Sequence, residues 1–227
     1  LDLSTDKFLD MNGLLGTGFQ CKKMAMSNDG RKIWLYGYGT TVLITAGNDG
    51  TLSAKSFKDK TARNFQFIYE TSSHETIAGN DKGLFIFDGK GFRQVERHGR
   101  FTNATEIAGR IVVCGSSNDS FMYFNTKKNT LAPVPAEWMN DNRPDLRTDN
   151  KGNCWLYNKD FVLTRIDKRT GAVIRINAPG RDGSSANFRY NVVEDSRGLI
   201  WISTDHCGLL MYNKRTGELT NFRAGNS

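Results

Sequence analysis

Cysteine is sparse and scattered in this sequence. Its four copies, Cys21, Cys114, Cys154 and Cys207, form no C-x-x-C, which excludes a zinc-ribbon or thioredoxin-type motif. Buried free thiols are the expected state, and one disulfide stays open as an alternative. Histidine is rarer still: His74, His98 and His206 have no companions at metal-ligand spacing. No metal or other cofactor is therefore expected. Proline is down to 4 residues while glycine reaches 23, a balance that favours short strands joined by tight turns over disorder. Long apolar runs are missing. Segments such as "IVVC" and "VLITA" are strand-sized, far short of the roughly 18 residues a membrane span requires. The leading "LDLSTDK" has neither a basic nor an apolar region, so a signal peptide is absent or already removed.

The charge is present but diffuse. A net +7 over 227 residues is compatible with nucleic acid or acidic glycans as partners. The basic pairs Lys22-Lys23, Arg31-Lys32, Lys127-Lys128, Lys168-Arg169 and Lys214-Arg215 are dispersed, mostly beside turns. They read as solvated surface, and nucleic acid is not expected as a partner.

What is abundant is repetition. The stretch "EDSRGLIWISTDHCGLLMYNKRTGEL", from Glu194 to Leu219, has relatives throughout the chain. With Trp201 as anchor, Tyr212-Asn213, Gly217 and Leu219 follow at fixed offsets. The same offsets from Trp155 give Ile166-Asp167, Gly171 and Val173, and from Trp34 they give Thr45-Ala46, Gly50 and Leu52. Weaker copies are anchored on Val113 and Thr76. The anchors 34, 76, 113, 155 and 201 are spaced 42, 37, 42 and 46 residues apart.

Each copy combines two turn signals with short apolar runs. Gly171 and Gly217 sit where a hairpin turn needs positive φ. Asp149 and Asp195 precede a second turn, "DNKG" and "DSRG", where an Asp accepts the amide two residues on. Runs such as "LIWIST" and "GLLMYN" between turns read as strands. Four strands per period of about 42 residues is the signature of a β-propeller blade. The expected fold is all-β, with blades at 19–58, 63–98, 101–136, 143–178 and 187–223. Residues 1–11 align with Ile166–Ile176, as the outer part of a preceding blade (1–12) whose inner strands are missing. Seven blades at this period would need about 290 residues, so the expectation is an incomplete propeller of about five blades plus part of another.

The pattern D-x-x-G-x-[IL]-W-[IL]-x-T followed by G-L-x-x-[YF]-[DN] resembles the two-component regulator propeller repeat. The copies at Trp201 and Trp155 match it well. "SNDGRKIWLYGYG" departs from it, because Asp29-Gly30 are shifted against the anchor, and the copies at Thr76 and Val113 lack both the tryptophan and the D-x-x-G. The resemblance implies the periplasmic sensor region of a hybrid histidine kinase, part of an inner-membrane protein of polysaccharide-degrading bacteria. It implies an oligosaccharide ligand, further blades and a kinase region in the full-length chain, and allows a homodimer. A second resemblance, to the Asp-box propeller of some glycosidases, differs by one residue in the turn and implies a hydrolase or lyase. A third alternative is a scaffold that binds only protein.

Candidate sites divide on simple physical grounds. Trp34, Trp155 and Trp201 lie mid-strand, where large rings pack blade on blade. Asp149 and Asp195 read as turn residues rather than catalytic acids. His206 and Cys207 are adjacent without a placed acid, so no catalytic residue is expected and the chain itself is not expected to be an enzyme. The connections after each anchor strand, "YGYGTT", "GNDKG", "SSNDS", "NKDF" and "TDHCG", are polar and differ in every copy, as binding loops on a repeated scaffold do. Antiparallel connections alternate ends, so these loops gather at one end with the lead-ins to the inner strands. The expected ligand-binding residues there are Tyr36, Tyr38, Asn80, Lys82, Asn118, Asn158, Lys159, Asp205 and His206, with Trp138 and Arg189 on inter-blade connections. Aromatic faces and hydrogen-bonding side chains suit a sugar.

Overall fold

A computed structural model describes residues 15, 19–58, 62–97, 99–115, 121–139, 145–157, 162–177, 190–204 and 208–222. The strand expected at 1–11 lies outside them. Each of the five repeats forms a four-stranded antiparallel sheet whose strands follow chain order. The first sheet holds β1 (Cys21–Met26), β2 (Lys32–Gly37), β3 (Thr41–Ala46) and β4 (Leu52–Phe57). The second holds β5 (Phe67–Glu70), β6 (Thr76–Asn80), β7 (Gly83–Phe87) and β8 (Phe92–Glu96). The third holds β9 (Phe101–Ile107), β10 (Arg110–Gly115), β11 (Phe121–Asn125) and β12 (Thr130–Pro133). The fourth holds β13 (Asp145–Thr148), β14 (Cys154–Tyr157), β15 (Val162–Ile166) and β16 (Val173–Asn177). The fifth holds β17 (Tyr190–Glu194), β18 (Leu199–Thr204), β19 (Leu209–Asn213) and β20 (Leu219–Phe222). A 3-10 turn, Ala136–Trp138, follows β12. The chain divides into two compact units, 1–104 and 105–227.

The Asp of the D-x-x-G motif does more than close a turn. Asp149 Oδ1 accepts the amides of Lys151 and Asn153, both at 2.9 Å, while Oδ2 accepts the indole N–H of Trp155 at 3.0 Å. Asp195 repeats this with the amides of Arg197 and Leu199 and the Trp201 indole at 3.1 Å. One carboxylate thus fastens the turn to the anchor ring six residues on. That bond is the largest influence on the Asp195 carboxyl; burial pushes the other way, but the indole together with the Leu199 and Arg197 contacts outweighs it and holds the carboxyl at about 2. Gly152 and Gly198 complete the turns at φ +80° each, a region closed to most L-residues.

In the first sheet the turn is a residue longer. Ser27 Oγ accepts the Lys32 amide and donates to Asp29, whose carboxylate takes the Arg31 amide, which accounts for the shifted Asp29-Gly30. In the second sheet Thr71 stands in the Asp place, its hydroxyl accepting the Glu75 amide at 3.0 Å. His74 takes the glycine place at φ +64°. Counting from Thr71, the true counterpart of Trp155 is Ile77, fully buried, rather than Thr76. In the third sheet the face that meets the fourth carries Val112 and Cys114, not Val113. Both weak anchors are one residue off, and in a strand a one-residue slip reverses the face.

The sheets pack face to face through these anchors. In unit 1, Trp34 is enclosed by Phe57, Phe87 and Phe92 at ring-centroid distances of 5.8, 4.9 and 5.2 Å, with Phe65, Ile68, Ala78 and Phe85 completing the cluster. In unit 2, one cluster joins Val112, Cys114, Phe121 and Tyr123 to Leu146, Cys154, Leu156 and Ile166. A second joins Trp155 and Leu163 to Tyr190, Val192, Ile200, Ile202 and Leu210. The sheet edges are latched in the same way twice. The Asn28 amide donates to Glu70 and its Nδ2 to the Thr71 carbonyl. Asn150 exchanges hydrogen bonds with the backbone of Glu194 at 3.0 and 2.9 Å. Glu194 also receives Lys151 at 2.7 Å and Lys214 at 2.6 Å, with Arg165 at 3.6 Å. Burial pushes its carboxyl up, but the two ammoniums outweigh burial and hold it below the ordinary value.

Candidate binding cleft

At the end of unit 1 where β2 finishes and β1 begins, the chain leaves a cavity of about 480 Å³. It is lined by Lys22, Lys23, Gly37, Tyr38, Asn64, Phe65, Gln66, Asp81 and Arg100. This volume falls within the range of small-molecule sites. The lining comes from the two classes of segment that antiparallel alternation brings to one end. Gly37 ends β2, Tyr38 and Asp81 lie on connections after anchor strands, and Lys22, Lys23, Asn64, Gln66 and Arg100 lie at or ahead of inner strands.

Local constraints hold these walls. A Cβ at Gly37 would strike the Gln20 carbonyl oxygen, so only glycine lets the lead-in to β1 cross β2 this closely. Asn64 sits at φ +55° and accepts the Gly39 amide at 2.7 Å. Lys23 Nζ donates to the Gln66 carbonyl at 2.6 Å, and the Gln66 amide donates to Gly79 at 2.7 Å. Lys22 Nζ lies 3.5 Å from the centroid of the Tyr38 ring, a cation–π contact. Asp81 faces Lys82 at 3.8 Å.

Five of the eleven expected ligand-binding residues are described, and their burial separates them. Tyr38 is 64 % exposed and lines the cleft. Lys82 is exposed beside Asp81, next to the lining. Tyr36, Asn80 and Trp138, at 4 %, 0 % and 4 % exposure, are interior and correct the expectation. The Tyr36 ring belongs to the Trp34 cluster and its hydroxyl is bonded to the backbone of Ile68; burial pushes that hydroxyl up. Asn80 shapes a loop, donating to the Arg63 carbonyl and accepting the Lys82 amide. Trp138 plugs the third and fourth sheets, its indole N–H donating to the Gly171 carbonyl at 3.1 Å. Asn118, Asn158, Lys159, Arg189, Asp205 and His206 lie outside the described residues, as does Cys207.

Lys22, Lys23, Asn64, Gln66, Asp81 and Arg100 were not singled out by sequence reasoning. Their signal was positional: each lies on a segment that alternation sends to this end. A second cavity, about 380 Å³, lies by the β15–β16 turn in unit 2. There Asp167 caps its own turn and the Arg165 guanidinium faces Asp167 and Glu194 through Nη2, while its buried Nε has no hydrogen-bond partner.

No protein-family model matches the sequence, and no curated protein matches it. Solved structures do. PorZ, a surface component of the type-IX secretion system of Porphyromonas gingivalis, superposes at TM-score 0.61 and 16 % identity, over 96 % of this chain and 36 % of its own. An auxiliary nutrient binding protein from Bacteroides thetaiotaomicron gives TM-score 0.55 and 12 % identity, over 89 % of this chain and 56 % of its own. The extracellular domain of a putative hybrid two-component system from B. thetaiotaomicron gives TM-score 0.48 and 14 % identity, over 97 % of this chain and 39 % of its own. The chain thus spans well under two thirds of each of these proteins. At such identities the likeness is one of fold: this is an all-β chain of repeated four-stranded sheets.

Proposed function

We propose that the chain is a ligand-binding portion of an extracytoplasmic sensor, recognising an oligosaccharide. The signal would pass to a histidine kinase region elsewhere in a longer, periplasmically exposed membrane protein. In this reading the five sheets are blades of an incomplete β-propeller, at 19–58, 63–98, 101–136, 143–178 and 187–223. The observation that carries the reading is the Tyr38 cleft. It is an open pocket with one exposed aromatic ring and several hydrogen-bonding side chains, built from the segments that vary between repeats. The repeat motif and the fold shared with a nutrient binding protein support it.

The hydrolase alternative finds less support. Asp149 and Asp195 spend their oxygens on turn amides and an indole N–H, which leaves neither poised for acid–base work. No helix among the described residues is long and apolar enough to cross a membrane.

Calorimetric titration of the 227-residue chain with a panel of plant, host and microbial oligosaccharides tests the proposal. At least one member is expected to bind, with Tyr38→Ala weakening it fivefold or more and Lys127→Ala, on a turn of the third sheet, leaving it unchanged. A panel without binding, or binding indifferent to Tyr38, refutes the cleft as the site. Reducing-sugar release that disappears on mutating one carboxylate would favour the hydrolase.

A further inference from the structure

We infer that the cleft selects an anionic glycan, its carboxylate or sulfate held by Lys22 and Arg100; the inference rests on the oligosaccharide reading above. The argument is an inventory of donors and acceptors. A neutral sugar offers hydroxyls that both donate and accept, so a site built for it presents both kinds of partner. This cleft is lopsided. Among the described residues its ionic lining is three cations, Lys22, Lys23 and Arg100, against the one carboxylate of Asp81, which already faces Lys82, while the Gln66 amide and the Tyr38 hydroxyl can act either way. Asn64 has its side-chain oxygen occupied by the Gly39 amide, leaving its Nδ2 as a further donor. Lys23 uses one of three ammonium hydrogens on the Gln66 carbonyl. That bond fixes a positive charge at the wall.

Tyr38 takes a different role in this arrangement. A sugar-stacking ring leaves its face open, but here the Lys22 ammonium stands over it at 3.5 Å. The ring therefore positions a cation at the mouth of the cleft rather than offering a platform for C–H groups. Holding the cation in place beforehand lowers what binding must spend on ordering it. Donors sharing one cavity in this way suit an acceptor-only group, and charge-assisted bonds to such a group are the strong ones. Carboxylate and sulfate share that chemistry.

The test is calorimetry on the 227-residue chain with matched pairs: tetragalacturonate against its methyl ester, and a sulfated chondroitin tetrasaccharide against its desulfated form. The charged member of at least one pair is expected to bind tenfold or more tighter than its partner. That preference should shrink as salt rises. Whichever pair shows it identifies carboxylate or sulfate as the recognised group. Lys22→Met and Arg100→Gln are each expected to remove fivefold or more from the charged ligand and little from the neutral one. Tyr38→Leu in a Lys22→Met background should add almost nothing, since the ring acts through that ammonium; additive losses would restore the stacking role.

If a neutral member binds as tightly as its charged partner, anion selection is overturned while the oligosaccharide reading survives. If no glycan in either pair or in the wider panel binds, both fall. A single-stranded oligonucleotide binding more tightly than every glycan would overturn the inference in favour of a phosphate backbone. Circular dichroism spectra superimposable on the parent's qualify each variant, and Lys22→Arg, which keeps the charge, is expected to retain most of the affinity.

Discussion

Trp155 and Trp201 are a matched pair supplied by the repeat. Each donates its indole N–H to an Asp six residues earlier, at 3.0 and 3.1 Å. They differ in what covers them. Trp155 is fully buried, roofed by the fifth sheet, whereas Trp201 is half-buried and stacks on Phe222, with Val193, Leu209 and Phe222 exposed at 50 %, 39 % and 47 %. Trp155→Ala should therefore forfeit the whole burial of the ring and leave a cavity that the packed sheets cannot collapse, about 3–5 kcal/mol. It also takes the indole partner from Asp149 Oδ2, a buried oxygen left with only the Asn153 side-chain amide at 3.0 Å. Trp201→Ala opens no enclosed cavity and leaves Asp195 in contact with water, so about 1.5–2.5 kcal/mol is expected from lost apolar area. The difference, about 2 kcal/mol, is the worth of the covering sheet. At a urea m-value of about 2 kcal/mol/M it separates the two midpoints by about 1 M, readable by near-ultraviolet circular dichroism. Losses equal to within about 0.5 kcal/mol would refute the reasoning, since coverage would then contribute nothing.

The remaining expectations follow from local geometry. Glu194→Gln leaves Lys151 and Lys214 without their carboxylate and should cost about 2 kcal/mol in urea melts, short of a fully buried pair because both ammoniums are partly exposed. Because the Glu194 carboxyl is held below its ordinary 4.5, its stabilisation is present above that pH and lost as pH falls below it. The variant's acid-unfolding curve should accordingly be flatter there. Gly83→Ala would set a Cβ on the Glu96 carbonyl oxygen at φ +135° and should cost more than about 3 kcal/mol. Gly217→Ala, at φ +76° with open space around it, should cost about 1 kcal/mol. Cys154 is fully buried and burial pushes its thiol up to about 12. At pH 8 a thiol reagent should label exposed Cys21 in the native chain and reach Cys114 and Cys154 only on unfolding; labelling of Cys154 in the folded state would contradict the packing.

The strand pattern was legible because this repeat writes its turns in conspicuous residues. Asp195, Gly198 and Trp201 form one hydrogen-bonded device, so their spacing survives as a motif. Where Thr71 replaces the Asp and His74 the Gly, the same turn forms through a hydroxyl and a left-handed histidine, and the count from sequence slipped by one. The site was legible as an end and less so as a set of side chains. In unit 1 the described post-anchor connections and the lead-ins to the inner strands line one cavity, but whether a ring on them faces water depends on the neighbouring sheet. Tyr36 and Tyr38 are two residues apart, and one is core while the other is cleft. Tyr36 is enclosed by Phe65 and Ile68 from the next sheet, a contact no period in the sequence records.

The Asp-to-indole bond has a consequence for how such a chain can change over generations. It concentrates the obligatory residues of a repeat at one rim, where the turn, the anchor ring and the Asn150–Glu194 latch are tied together. At the opposite rim Gly37, Asn64 and Asn80 are fixed points, while Tyr38, Lys82 and Arg100 could be exchanged for other polar residues with effects on stability near those of ordinary surface changes. Recognition can then drift, loop by loop, while the architecture stays put. A chain organised this way can acquire new ligands without passing through unfolded ancestors, and transplanting the cleft-rim loops between repeats is the laboratory version of that history.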